Sequence, residues 1–154
     1  MLPTQKALNM EEWKDIPGYE GLYQASNTGE IRTCAGKITS NARYGQRVWK
    51  QRIMKQKYSI GKNGRRDFRV ELWKDGQHRT WLVSRLVALT WCEGYQDGWT
   101  VNHKNGDPKD NRADNLEWLS HGDNIRHGFA TGLYPQARFD GDYSYKDAAL
   151  GGCV

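Results

Sequence analysis

The chain has 154 residues, 37% of them hydrophobic and 27% charged, with a formal net charge of +5. Mean hydropathy is −0.90. No apolar run approaches the ~18 residues of a membrane span. The opening residues MLPTQKALNMEEW lack the charged-then-apolar pattern of a secretory signal, so a soluble, cytoplasmic protein is expected. The three cysteines, Cys34, Cys92 and Cys153, are far apart with no C-x-x-C pair, which excludes a thiolate zinc ribbon and predicts free thiols. Seven Trp and eight Tyr predict a small, aromatic-rich core in two patches.

Charge is unevenly distributed. Residues 43–85 hold thirteen Lys/Arg against three Asp/Glu, whereas residues 1–42 and 86–154 are both net acidic. A basic middle interleaved with Tyr44, Trp49, Tyr58, Phe68 and Trp73 suggests a polyanion partner, of which nucleic acid is the commonest.

In chain order, residues 1–10 read as an unstructured lead. Residues 11–33 read as strands and turns, with Asn27-Thr28-Gly29 joining LYQAS and EIRT in a hairpin. Residues 34–65 are rich in Gly, Lys and Arg, with a possible strand in RIMKQKYSI. DFRVELW alternates Phe68, Val70 and Leu72 against polar positions and predicts a half-buried strand, with HRTWLV returning after a Gly76 turn. Ser84 is the expected N-cap of a short helix, RLVALTWC. VNH and LEWL predict short strands flanking a polar loop. Ser120 and Asp123 have capping-box spacing, predicting a helix from about His121 to Ala130 that stops at Gly132. Residues 133–154 show no readable period. The fold class expected is α+β.

The last unit, strand, loop, strand and helix, concentrates the amides and imidazoles. Asn102 and His103 are neighbours on a strand and point to opposite faces. Asn124 and His127 share a helix face, about 5–6 Å apart. Such a set suits metal-assisted hydrolysis. A neutral imidazole takes a proton from water, and a carbonyl oxygen on its other nitrogen, expected from Asn115, fixes the tautomer. A cation with few protein ligands and retained waters suits Mg2+. His121, in the first turn of the helix, and His78, in the central hairpin, are expected to be surface residues. Trp118 and Leu116 are expected in the core, as are Trp13, Tyr19 and Tyr23.

The segment VNHKNGDPKDNRADNLEWLSHGDNIRHG closely resembles the HNH endonuclease motif, in the variety found in phage and intron-encoded homing enzymes; the likeness covers about residues 80–130. EEWKDIPGYEGLYQASNTGEIRT separately resembles the small nuclease-associated module that often precedes such domains. The resemblance implies a small N-terminal β module and a C-terminal ββα-metal, or His-Me finger, nuclease. It divides the chain into the module at 11–42, a basic DNA-binding hairpin and linker at 43–79, the nuclease domain at 80–131 and a tail at 132–154. It implies His103 as general base, Asn115 as the structural residue orienting it, and Asn102 and Asn124 as metal ligands, with His127 a further ligand or phosphate contact. Some relatives carry Asp where this chain has Asn102, a weaker, neutral ligand.

The implied activity is metal-dependent cleavage of double-stranded DNA, using Mg2+ or another divalent cation such as Mn2+ and no small-molecule cofactor. A monomer or weak dimer in a bacterial or phage-infected cell would nick one strand. Expected DNA contacts are Arg43, Arg47, Lys50, Arg52, Lys55, Lys57, Lys62, Arg65, Arg66 and Arg69. The residues leave open a catalytically inactive nucleic-acid-binding protein on the same fold, a phage protein that binds another protein, and a ribonuclease.

Overall fold

A computed structural model describes residues 10–60 and 66–132. Strands β1 (Trp13–Asp15), β2 (Tyr23–Ser26) and β3 (Ile31–Thr33) form an antiparallel sheet in the order β1-β2-β3. The β2–β3 hairpin turns through Asn27-Thr28-Gly29, as its turn residues predict. Strands β4 (Ile38–Asn41) and β5 (Gly45–Val48) pair only with each other. A second three-stranded antiparallel sheet follows: β6 (Lys57–Ile60), β7 (Arg66–Lys74) and β8 (Gln77–Leu82). Helix α1 (Val83–Trp91) leads to β9 (Thr100–His103), a polar loop, a short 3-10 turn (Ala113–Asn115), β10 (Leu116–Leu119) and helix α2 (His121–Ala130). The fold is α+β, as expected.

The core differs from the two patches expected. One cluster joins Ile16, Tyr23, Ala25 and Ile31 of the N-terminal module to Val70 and Leu72 of β7, to Val83, Leu86, Val87 and Ala88 of α1, and to Leu116 and Trp118 of β10. The reason is the shortness of the elements. The three- and four-residue strands of the β1-β2-β3 and β9–β10 sheets cannot bury a stable face alone, so both sheets share one helix with the longer β7 and β8. Polar tips of the aromatics stitch the parts together. Trp91 Nε1 donates to the Ala25 carbonyl at 3.0 Å, Trp81 Nε1 to Tyr19 Oη at 2.9 Å, and the Trp73 amide to Tyr23 Oη at 3.0 Å.

Two local expectations are also revised. Ser84 does not cap α1. The helix starts at Val83 directly from β8, Leu82 occupies the cap position without a side-chain bond, and Ser84 is buried inside the first turn. The segment 43–79 is not one hairpin. It contains β5, an isolated bridge between Ile53 and Arg32, and most of the β6-β7-β8 sheet. The strand expected in RIMKQKYSI begins only at Lys57. Helix α2 follows expectation at both ends: Ser120 Oγ accepts from the Asp123 amide, and Gly132 follows the last turn with φ +72°.

Candidate active site

Strands β9 and β10 pair antiparallel, His103 opposite Leu116 and Asn102 opposite Glu117. Alternation puts Leu116 and Trp118 into the core and leaves Glu117 on the other face, beside Asn102. Asn102 is buried and its Nδ2 donates to Glu117 Oε1 at 2.9 Å. Thr100 shares that face of β9, and its Oγ1 accepts from Asn124 Nδ2 of α2 at 3.1 Å. Helix α2 therefore lies over the Asn102 face. The capping of α2 sets its start and so the position of Asn124. Asp123, bonded to Ser120 and paired with Arg126, is held below the usual carboxylate range by those two contacts.

These bonds orient the two amides. A carboxylate only accepts, so Asn102 must present its nitrogen to Glu117, and its Oδ1 has no protein donor among the described residues. Thr100 Oγ1 donates to the Leu119 carbonyl at 3.4 Å and accepts from Asn124, which likewise leaves Asn124 Oδ1 without a donor among the described residues. Two amide oxygens anchored through their nitrogens suit a hard divalent cation. His127, one turn beyond Asn124, has a buried Nδ1 with no hydrogen-bond partner among the described residues. No group of three His, Cys, Asp or Glu side chains able to hold a metal forms among the described residues, so the donor set rests on amides.

On the other side of β9, the His103 ring is held by a residue that the sequence did not single out. Asn111 Oδ1 lies 2.8 Å from His103 Nε2. The carbonyl expected from Asn115 is thus supplied by Asn111. Asn115 is buried and its side chain is committed to the loop. Its Oδ1 accepts from the Asn105 amide at 3.1 Å, and its Nδ2 donates to Asn105 Oδ1 at 3.0 Å and the Asp110 carbonyl at 2.9 Å. Asn105 Nδ2 reaches Asp110 Oδ2 at 3.0 Å, and Arg112 closes on Asp110 at 2.9 Å. The Arg112 guanidinium holds the Asp110 carboxyl below its ordinary value. Asn115 thereby braces the loop that carries Asn111 rather than touching the ring. Thr100, Asn111 and Glu117 were missed because two are placed by strand pairing and one by loop closure. The alternation around LEWL was the one available signal, since it sets Glu117 opposite to the buried face.

The expected DNA contacts lie between the β4–β5 turn and β7, where Tyr58 of β6 has its ring 5.2 Å from Lys109 Nζ of the β9–β10 loop. Arg43, Arg47, Lys50, Arg52, Lys55, Lys57 and Arg66 are exposed. The Arg47 guanidinium stacks 4.1 Å from the Trp49 ring centre, and Arg52 approaches the same ring at 5.2 Å. Arg69 is half-buried on β7, opposite Lys57. Lys62 and Arg65 lie outside the described residues, as does the tail from 133 onward. His78 is exposed and bonds Glu71 at 3.1 Å, and His121 is exposed, both away from the site contacts. Burial pushes the Cys34 and Cys92 thiols up, as inert free thiols require.

The HNH endonuclease family profile matches residues 93–126, and the NUMOD4 motif matches residues 11–65. DNA endonuclease I-HmuI of Bacillus phage SP01 is 38% identical over 121 residues, which cover 79% of this chain and 59% of that protein. Residues 93–126 form an HNH endonuclease domain. A solved structure of DNA binding and cleavage by the HNH homing endonuclease I-HmuI superposes with a TM-score of 0.57 at 38% identity, covering 80% of this chain and 60% of that one. An uncharacterised HNH endonuclease of Acanthamoeba polyphaga mimivirus is 33% identical over 129 residues but is covered only to 27% of its length. The chain thus spans about three-fifths of the phage enzyme. Within the HNH match fall Asn102, His103, Asn115 and Asn124, with His127 one residue beyond it. The NUMOD4 match runs past residue 42 and takes in the β4–β5 hairpin and the basic positions up to Arg65. Among the described residues no helix is long and apolar enough to cross a membrane.

Proposed function

We propose that the chain is a metal-dependent endonuclease that hydrolyses phosphodiester bonds of double-stranded DNA, nicking one strand per encounter, with His103 as general base. The observation that carries this reading is the held imidazole. Asn111 Oδ1 is an acceptor, so Nε2 bears the hydrogen and Nδ1 of the neutral ring keeps the lone pair that takes a proton from water. Asn115 keeps the loop closed so that this acceptor stays in place.

Asn102 and Asn124 would hold the divalent cation through their Oδ1 atoms, with Glu117 adding negative charge beside Asn102 and His127 as a further ligand. Mg2+ suits the oxygen donors, and Mn2+ would also tolerate the imidazole. A bound cation would stabilise charge on the phosphodiester oxygen and on the leaving oxygen. The exposed Arg and Lys side chains of residues 43–69, including Arg65, would bind the backbone. Phosphate contacts set position rather than sequence, so specificity is low or resides in the basic β region. One site per chain fits a monomer or weak dimer that nicks, working in the cytoplasm of a bacterial or phage-infected cell.

The test is conversion of supercoiled plasmid to open circles with Mg2+, with Mn2+ and with EDTA, beside a labelled RNA of equal length. Metal-dependent open circles with intact RNA are expected, and linear product would point to paired action. A plasmid that stays supercoiled while binding falls steeply with salt would replace this reading with a nucleic-acid-binding protein, to which the neutral Asn102 lends its weight.

A further inference from the structure

The chain at Asn111 does not rest on the nuclease unit alone. Gly29, in the β2–β3 turn of the N-terminal module, has φ +99°, and a Cβ built there would lie 2.9 Å from the Asn111 carbonyl oxygen. Two residues on, the Ala113 amide donates to the Asn27 carbonyl at 2.9 Å. The turn itself is rigidly stapled. Ser26 Oγ takes the Glu30 amide at 2.9 Å, Asn27 Oδ1 takes the Glu12 amide at 2.9 Å, and Gln56 Nε2 holds the Gly29 carbonyl at 2.9 Å. Asn111 is 5% exposed, and its side-chain oxygen is the His103 partner.

We propose that the N-terminal module is part of the mounting of the base: its β2–β3 turn sets the main chain at residues 111–113 and, through the Asn111 amide, the orientation of the His103 ring. This rests on the reading of His103 as base. Gly29 and Asn111 are positioning residues. Gly29 is required because any side chain would push Asn111 away, and Asn27 because it ties down the far side of the same loop segment. The module therefore contributes to turnover as well as to any contact with DNA.

The full-length protein tests this with Gly29→Ala against Gly36→Ala. Gly36 also sits at positive φ, +78°, but a Cβ there meets nothing within 4 Å, so the backbone strain is shared and the collision with Asn111 is not. Ala113→Pro is the second variant. Ala113 opens the 3-10 turn after Arg112 at ψ 140°, where proline fits, and the substitution removes the bond to Asn27. Asn111→Asp keeps the acceptor and Asn111→Ala removes it.

Three readouts are taken: duplex Kd, the single-turnover nicking rate with Mg2+, and the His103 ring ¹⁵N shifts, assigned by loss of signal in His103→Ala. Gly29→Ala, Ala113→Pro and Asn111→Ala should each slow nicking by roughly tenfold or more with Kd unchanged, and shift the ring away from a single Nε2–H tautomer. Gly36→Ala should retain both, and Asn111→Asp, which keeps the acceptor, should restore the Nε2–H tautomer that Asn111→Ala loses. If Gly29→Ala matches Gly36→Ala and Ala113→Pro matches wild type, with the Nε2–H tautomer intact in both, the mounting role is overturned. If His103→Ala nicks like wild type, the base reading itself fails, and the ring shifts still decide whether the module sets the imidazole.

Discussion

The loop between β9 and β10 and the β4–β5 hairpin are both turn-rich and both serve the proposed reaction, one by holding the base and one by contacting DNA, yet they are built in opposite ways. The loop closes on itself. Asn105, Asp110 and Asn115 bond one another, and the N-terminal turn pins it from outside. The hairpin pairs only internally and leaves Ile38, Tyr44 and Val48 exposed, with Arg47 and Arg52 resting on Trp49. The difference follows from what each must do. Proton transfer needs its groups held within hydrogen-bond reach. A phosphate backbone offers a charge every few ångströms, so a cation on a loosely held hairpin finds a partner without fixed geometry.

Substitutions in the β9–β10 loop should have the largest effect. Asn115→Ala leaves the Asp110 carbonyl and the Asn105 groups without their partner and should cost about 1–3 kcal/mol in a denaturant melt. Nicking should fall with it, while duplex affinity holds. Ser120→Ala removes the α2 cap beside Asn124 and should cost about 1 kcal/mol, with a rise in the Mg2+ concentration needed for half-maximal nicking. On the hairpin side, the double substitution Arg47→Ala and Arg52→Ala should leave the stability of the fold nearly unchanged. It should reduce the slope of log affinity against log salt by about 2, with kcat at saturating DNA preserved. A loss of kcat there would erase the distinction between the two regions.

Acid gives the smallest effect. The Asp110 carboxyl lies below its ordinary value because of Arg112. Its contribution is present above the unfolded value of about 4 and disappears as pH falls through the lower folded value. Amide exchange in the 104–111 loop should therefore accelerate below about pH 4 before α1 responds.

The parts of the fold legible in the sequence were those that depend on near neighbours. Ser120 and Asp123 announce α2, the LEWL alternation announces β10, and Asn27-Thr28-Gly29 announces the β2–β3 turn. The parts that were not legible depend on closure in space. Ser84 looks like a cap, but β8 runs straight into α1 and leaves no free residue at that place. Two cores look plausible until three sheets are found sharing α1. His103, Asn102 and Asn124 are recognisable from their motif. Asn111 is one amide among several in a polar loop, and only the bracing by Asn115 and the N-terminal turn brings it to the ring. The contact of Gly29 with Asn111 spans two modules, and no local pattern encodes it.

The most direct test of the account is the single-turnover nicking rate of His103→Ala on supercoiled plasmid, at saturating protein with Mg2+. A loss of about 10²- to 10⁴-fold with unchanged duplex affinity is predicted, the range for removal of a general base. A rate within about threefold of wild type would contradict it and would move the proton acceptor away from β9.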